Sequence, residues 1–252
     1  MSSPFLAIAG IFGAHSFILR FVGLKSFKEG CQAFLMLVVS VGEVGTNGQG
    51  RLVRPEELGI PKCNYWVYPE KGDHDRCVEN YLEDLSQPFP LVYLSFPSAK
   101  DPDWSNRYPG KSTIDVITLI PYETFEAWKN TPWKKRRDDY EAKKEEIAQR
   151  LLKEVYKQLP QVEGKINCYE LSSPLTTEHF INYEKGEIYG LDHSPSRFRQ
   201  PFLKPRTPIK NFYLTGQDIV TAGVGGALFS GVLTTMAMTG KNVLKRIQET
   251  PK

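Results

Sequence analysis

Between residues 64 and 182 the spacing of apolar positions switches repeatedly between a period of two and a period near 3.6, which predicts alternating strands and helices. Asn64-Tyr65-Trp66-Val67-Tyr68 reads as a strand stopped by Pro69. Asp73 to Leu85 carries Val78, Tyr81, Leu82 and Leu85 at helical spacing and predicts a short amphipathic helix. Leu91 to Phe96 is a second strand, closed by Pro97. A loop rich in turn formers (Pro102, Asn106, Pro109, Gly110) leads into a third strand, Ser112 to Ile120. There Ile114, Val116, Thr118 and Ile120 share one face while Ile117 and Leu119 make the other apolar too, so this strand is expected at the centre of its sheet.

The clearest helical signal follows. Thr131 is the expected cap and Pro132 suits the first turn. Tyr140, Ile147, Leu151, Val155 and Leu159 then repeat at intervals of four or seven opposite a charged face, and Pro160 ends the run. Lys165 to Leu171 predicts another strand and Thr176 to Asn182 another short helix. Outside this region the text changes. Residues 1–53 are apolar and glycine-rich with no evident period, and residues 191–252 read as a loop, a strand and one long apolar helix. The expected division is therefore an atypical leader (1–53), an α+β domain (54–190) and a C-terminal segment (191–252).

Composition narrows the picture only slightly. With 252 residues, 40% hydrophobic and 24% charged, the chain has enough apolar material for a globular core. A net charge of +3 gives no argument for nucleic acid. The basic run Lys134-Lys135-Arg136-Arg137 is answered by Asp138, Asp139, Glu141, Glu145 and Glu146, and reads as a solvated helix face. The four cysteines (Cys31, Cys63, Cys77, Cys168) show neither C-x-x-C pairing nor zinc spacing, as expected for reduced thiols in a cytosol-like, cytoplasmic setting. His15 and Arg20 interrupt the apolar stretch Phe5 to Leu24, and Ala33 to Val41 is too short to cross a bilayer. Peripheral membrane contact stays open.

Chemistry concentrates between Gly186 and Met238. Pro208 to Gly216 predicts a strand stopping at a glycine, followed by Gln217 and Asp218. Then comes the small-residue stretch Thr221-Ala222-Gly223-Val224-Gly225-Gly226-Ala227 at the start of a helix lined by Leu228, Val232, Met236, Val243 and Ile247. The first N–H groups of a helix lack internal partners and sit at the positive end of its dipole. Glycines at 223, 225 and 226 would let a polar, partly anionic ring approach them. The same pattern also serves close helix packing, and spacing alone leaves both readings open.

The string Tyr213-Leu214-Thr215-Gly216-Gln217-Asp218-Ile219-Val220-Thr221-Ala222-Gly223, with Gly226-Ala227-Leu228 and Gly231 after it, resembles the C-terminal flavin segment of the retinol-saturase and phytoene-desaturase type of flavin amine oxidase. Gly186-Glu187-Ile188-Tyr189-Gly190-Leu191-Asp192-His193 and Lys62 to Tyr68 resemble upstream segments of that family. The resemblance runs from about Glu57 to the end. It implies FAD as cofactor, an apolar retinoid- or carotenoid-like polyene as substrate, and a reduction or desaturation. It also implies a fold with two parts: a substrate domain with a mixed β-sheet, and the C-terminal strand and helix of a Rossmann-type FAD-binding domain. Carried over, Gly216, Gln217, Asp218, Gly223, Val224, Gly225 and Gly226 would bind the cofactor, with Asp218 on the ribityl chain or pyrophosphate. Tyr189 and His193 would lie near the ring and the substrate.

The G-x-G-x-x-G turn that binds the dinucleotide in such enzymes does not occur, since Gly45, Gly48 and Gly50 have other spacing. A complementary N-terminal FAD-binding half is therefore expected, and the chain alone is expected to hold FAD weakly or not at all. Without that half, Leu214, Leu228, Val232 and Met236 are expected to lack partners. The alternative is a cofactor-free binding module for an apolar ligand or partner protein. Its aromatic-rich middle (Tyr65, Trp66, Tyr93, Phe96, Trp128 and others) would serve either a core or an apolar tunnel. Asp192-His193-Ser194 cannot form a triad as sequence neighbours. Asp73-His74-Asp75 reads as a solvated turn and His179 as a helix-surface residue.

Overall fold

The computed structural model describes residues 33–42, 46–47, 51–52, 58–69, 73–187, 189–191 and 193–249. Expectations placed on His15, on Cys31 and on Asp192 lie outside the described residues. The chain divides into two compact units, Gln32–Phe180 and a second that contains Ile181–Lys252.

The first unit is built on a five-stranded sheet of β1 (Ala33–Gly42), β4 (Tyr65–Val67), β5 (Val92–Ser95), β6 (Lys111–Ile120) and β7 (Ile166–Ser172). Two further short strands, β2 (Thr46–Asn47) and β3 (Arg51–Leu52), pair only with each other. The sheet order is β4-β5-β6-β1-β7, and every pairing is antiparallel. The mixed sheet expected from the family resemblance is thus corrected to an antiparallel one. The overall class, helices combined with a separate antiparallel sheet, is α+β.

β6 occupies an interior position as its two-sided apolar pattern implied, with Ser112, Ile114, Val116, Thr118 and Ile120 all buried on one face. Its neighbour β1 was not evident in the sequence. Leu35 to Val39 is an unbroken apolar run, so no alternation announces a strand, yet Leu37, Val39 and Val41 are buried while Val38 is exposed. Burial alternates where hydrophobicity does not.

α1 (His74–Glu83) is capped by Asp73, whose carboxylate accepts the Asp75 N–H at 3.1 Å. The long α2 (Arg137–Gln158) packs Tyr140, Ile147, Leu151 and Val155 into the core beside Leu37, Leu94, Val116 and Leu171. It begins at Arg137, not at the expected Thr131 cap. The Thr131 hydroxyl instead donates to the Trp128 carbonyl at 2.5 Å, and Lys134 and Arg137 take left-handed backbone that no helix continues through. Within the basic run Arg136 is buried, donating to the Leu175 carbonyl at 3.4 Å and lying over the Tyr140 ring. Further on, Lys143–Glu146 and Lys144–Glu141 pair along the solvated face. α3 (Pro174–Ile181) carries the exposed His179, stacked on Trp133.

In the second unit the expected strand at 208–216 is reduced to a single bridge between Arg206 and Tyr213. A strand exists only through its neighbours, and among the described residues of this unit no longer ladder forms. The expected single C-terminal helix is two helices, α4 (Gly223–Thr239) and α5 (Val243–Glu249). Gly240 ends α4 with φ +68°, a left-handed conformation that glycine adopts without strain. Among the described residues no helix is long and apolar enough to cross a membrane.

Candidate functional site

The candidate site is the turn at 216–218 with the start of α4, all within the second unit. Gly216, at φ +109°, supplies backbone that side-chain-bearing residues rarely take, and so lets the chain leave the Tyr213 bridge and turn. Arg197 then fixes the turn. It comes from a single helical turn, Pro195–Phe198, capped by the Ser194 hydroxyl, and is almost fully buried. Its Nη2 donates to the carbonyls of Gln217 at 3.0 Å and Asp218 at 2.9 Å. A charged donor on two carbonyls is worth more than an ordinary neutral hydrogen bond, so Arg197 acts as a clamp on the loop. The sequence reading missed it. An arginine some twenty residues before the turn it holds has no periodicity to mark it, and only the unpaired carbonyls of a tight turn could have suggested such a donor.

The side chains of the turn face inward to the unit's own backbone. One Asp218 oxygen accepts the Leu191 N–H at 2.9 Å. That approach requires Gly190, because a Cβ there would lie 2.1 Å from the same oxygen. Gln217 bridges two elements: its Oε1 accepts the Gly223 N–H at 3.2 Å and its Nε2 donates to the Tyr183 hydroxyl at 3.3 Å. The His193 Nε2 accepts the Ala222 N–H at 2.7 Å, which places the proton of its neutral ring on Nδ1. Phe198 packs its ring against His193 at 6.0 Å in a T-shaped arrangement. Tyr189 is exposed.

The structure therefore assigns the candidate residues different positions. Gln217 and His193 serve as side-chain caps for the amides of Gly223 and Ala222, which the backbone cannot satisfy at a helix start. Gly226 is a packing glycine, since a Cβ on it would sit 1.9 Å from the Thr221 carbonyl oxygen. Val224 and Gly225 are the positions left open to a ligand. Val224 is 79% exposed, and a Cβ on Gly225 would meet nothing within 4 Å. No acidic side chain occupies the first turn of α4, so the positive end of its dipole is not offset from within the helix.

The buried stripe of α4 is Gly226, Ser230 and Thr234, spaced by four. Ser230 accepts the Gly216 N–H at 2.8 Å, and Thr234 donates to the Leu214 carbonyl at 2.8 Å, tying the helix to the turn. Of the four side chains expected to lack partners, Leu214 is buried, Val232 and Met236 are half-buried, and Leu228 is exposed, as is its neighbour Phe229.

The donor set suits an electron-rich or anionic planar edge: open backbone amides at a helix start, glycine without side-chain obstruction, and a loop held rigid from behind. That is the chemistry an oxidised or reduced flavin presents at its pyrimidine edge. The residues present fit such a group at Val224 and Gly225.

Comparison with profiles of known protein families gives no match. Individual proteins do match. The chain is 40% identical over 186 residues to an all-trans-retinol 13,14-reductase of Danio rerio, covering 71% of this chain and 30% of that protein. It is 38% identical over 195 residues to the all-trans-retinol 13,14-reductase of Homo sapiens, covering 75% of this chain and 32% of that protein. A more distant relative is a chloroplastic prolycopene isomerase of Arabidopsis thaliana, 28% identical over 168 residues, covering 66% of this chain and 27% of that protein. The chain thus spans about a third of the length of the relatives it matches, and corresponds to their C-terminal portion.

Proposed function

From this kinship with the retinol 13,14-reductases, we propose that the chain is the C-terminal portion of an FAD-dependent oxidoreductase acting on a retinoid- or carotenoid-like polyene. The observation that carries the reading is the open start of α4. There the Val224 and Gly225 backbone is exposed beside a turn locked by Arg197, Gln217 and His193. Bound there, FAD would supply the hydride-accepting or hydride-donating ring.

In this proposal the chain's own residues bind and orient. The amides of Val224 and Gly225 would hold the pyrimidine edge, where negative charge gathers on reduction. The helix dipole would then favour the reduced state. Gln217 and His193 would keep the Gly223 and Ala222 amides from competing, and Arg197 would keep the turn from collapsing toward the ring. Asp218, already accepting from the Leu191 N–H, would fix the Gly190–Leu191 segment and would reach the ribityl chain or pyrophosphate from that anchored position. Tyr189, exposed within the same short segment, would stand nearest the substrate.

The adenosine end of FAD would come from a complementary dinucleotide-binding half. The free thiols Cys63, Cys77 and Cys168 suit a cytosol-like, reducing compartment, and a polyene substrate suits peripheral contact with a membrane. Co-expression with a G-x-G-x-x-G-bearing half tests the assignment. A yellow complex that reduces or desaturates a polyene supports it. Apolar-ligand binding with no flavin retained would favour a cofactor-free module instead, a reading to which the exposed Val224, Leu228 and Phe229 lend some support.

A further inference from the structure

Charge is unevenly spread along the chain. Between His193 and Gln248 lie eight Lys and Arg residues and one acidic residue, Asp218. That stretch carries +7 of a chain whose total is +3, so the remainder is net acidic.

The fold brings much of this charge to one end of α4. The Gly216 N–H bonds to Ser230, the Leu214 carbonyl to Thr234, and the Arg206 guanidinium to the Ala237 carbonyl. Residues 213–216 therefore run back along α4, and the hairpin closed by the Arg206–Tyr213 bridge turns over at the C-terminal end of that helix. Gly240 ends α4 there, so Lys241 and the start of α5 share the same end. The hairpin tip is firmly held. The Thr207 hydroxyl donates to the Phe212 carbonyl at 2.7 Å and accepts the Ile209 N–H at 3.2 Å, while Asn211 takes left-handed backbone at φ +63°. The tip presents Ile209, 58% exposed, beside the exposed Lys210.

The negative end of the helix dipole accounts for one of these cations, since Arg206 meets the Ala237 carbonyl and lies over the Tyr213 ring. It does not account for the rest. Lys204, Lys210 and Lys241 are exposed, and among the described residues no carboxylate pairs with them. Aliphatic side chains stand exposed in the same segments: Ile209 on the hairpin, and Leu244 with Ile247 three residues apart on α5.

Unpaired cations beside protruding aliphatic side chains match a surface that is anionic outside and apolar just beneath. We propose that the C-terminal end of α4 rests on an anionic phospholipid surface. Ile209 enters the interface, and Lys204, Lys210 and Lys241 meet the headgroup phosphates. An acidic protein or a nucleic acid would satisfy the charges but would offer nothing to an aliphatic tip. The inference gives a surface to the peripheral membrane contact proposed above and rests on neither the flavin nor the polyene. Ala237 lies about 20 Å along α4 from Val224, so the open amides stay accessible when this end is bound.

Co-sedimentation of the full chain with vesicles of phosphatidylcholine alone, and of phosphatidylcholine with roughly one-third phosphatidylserine, tests this. Binding to the anionic vesicles should be about tenfold stronger or more, and should fall about tenfold between about 0.1 M and about 0.5 M NaCl. Lys204→Glu combined with Lys210→Glu should lower the partition coefficient by about tenfold or more, and Ile209→Ser by about threefold. Lys62→Glu combined with Lys153→Glu makes the same change of net charge at exposed positions of the sheet unit and should stay within about twofold. Should the first pair fail to fold by circular dichroism, Lys204→Gln with Lys210→Gln should still cost about fivefold. Equal binding to the two vesicle types overturns the proposal, as does an equal loss in the two charge-reversed pairs. Retention on heparin without vesicle binding also overturns it and assigns the surface to an acidic macromolecule. Neither flavin nor polyene enters the assay, so its failure leaves the α4 assignment standing, and loss of flavin binding leaves this one standing.

Discussion

The long helix of the sheet unit and the glycine-rich helix of the C-terminal unit solve burial in opposite ways. α2 puts Ile147, Leu151 and Val155 inside and its charges outside. α4 puts Gly226, Ser230 and Thr234 inside and leaves Val224, Leu228 and Phe229 outside. The first helix is held by transfer of apolar surface from water, at roughly 1.5–3 kcal/mol for each fully buried large side chain. The second is held by hydrogen bonds to a turn, each worth about 1 kcal/mol net. A helix stabilised in that weaker way keeps Val224, Leu228 and Phe229 turned outward and contributes little to a core of its own.

Truncation should expose this difference most strongly. Leu94→Ala, at a fully buried position of β5, is expected to cost about 3 kcal/mol, whereas Leu228→Ala should stay within about 0.5 kcal/mol. Chemical denaturation of the two variants measures both, and comparable losses would break the contrast.

A smaller effect separates neighbouring glycines in α4. Gly226→Ala drives a Cβ into the Thr221 carbonyl and should cost about 2–3 kcal/mol, while Gly225→Ala has open space and should leave stability unchanged within error. If both are silent in thermal melts, Gly226 is not the packing glycine described.

Removing one polar tie comes next. Thr234→Val deletes the donor to the Leu214 carbonyl and should cost about 1 kcal/mol. No loss would mean that α4 is anchored by something other than its hydroxyls.

A further contrast belongs to the sheet unit and to alkaline pH. Burial pushes the Tyr81 hydroxyl up to about 12 from an ordinary value of 10.0. The folded state therefore keeps its proton where the unfolded state has lost it. That contribution is fully present below pH 10.0 and is lost as the pH rises toward 12. Tyr81→Phe should flatten this part of the alkaline stability profile. An unchanged slope would assign it to other groups.

The sequence disclosed these regions unequally, for physical reasons. Period-two and 3.6-residue patterns located β4 to β7, α1 and the body of α2, because each buries one face against a core the same chain supplies. β1 escaped notice because it is apolar on both faces, so its alternating burial leaves no trace in the residue types. The start of α2 was misplaced because Pro132 and Thr131 mimic a cap, while left-handed backbone at Lys134 and Arg137 carries no sequence signature. In the candidate site, the motif marked a turn and a helix start that the structure contains, but the division of labour within them did not follow from residue type. Gly225 and Gly226 are indistinguishable as letters, and only the nearby Thr221 carbonyl separates a packing glycine from an open one. Arg197 is invisible until the carbonyls it binds are seen to turn toward it.

The central claim is that the Val224 and Gly225 amides hold the flavin edge. FAD content measured on the chain co-purified with a dinucleotide-binding half, for the wild type and for Gly225→Asp, tests it most directly. The account predicts near-stoichiometric FAD in the wild type. In the variant it predicts at least a tenfold loss of flavin affinity, because a carboxylate then sits where the anionic edge would lie, with the fold intact by circular dichroism. Equal FAD retention in the two would contradict it.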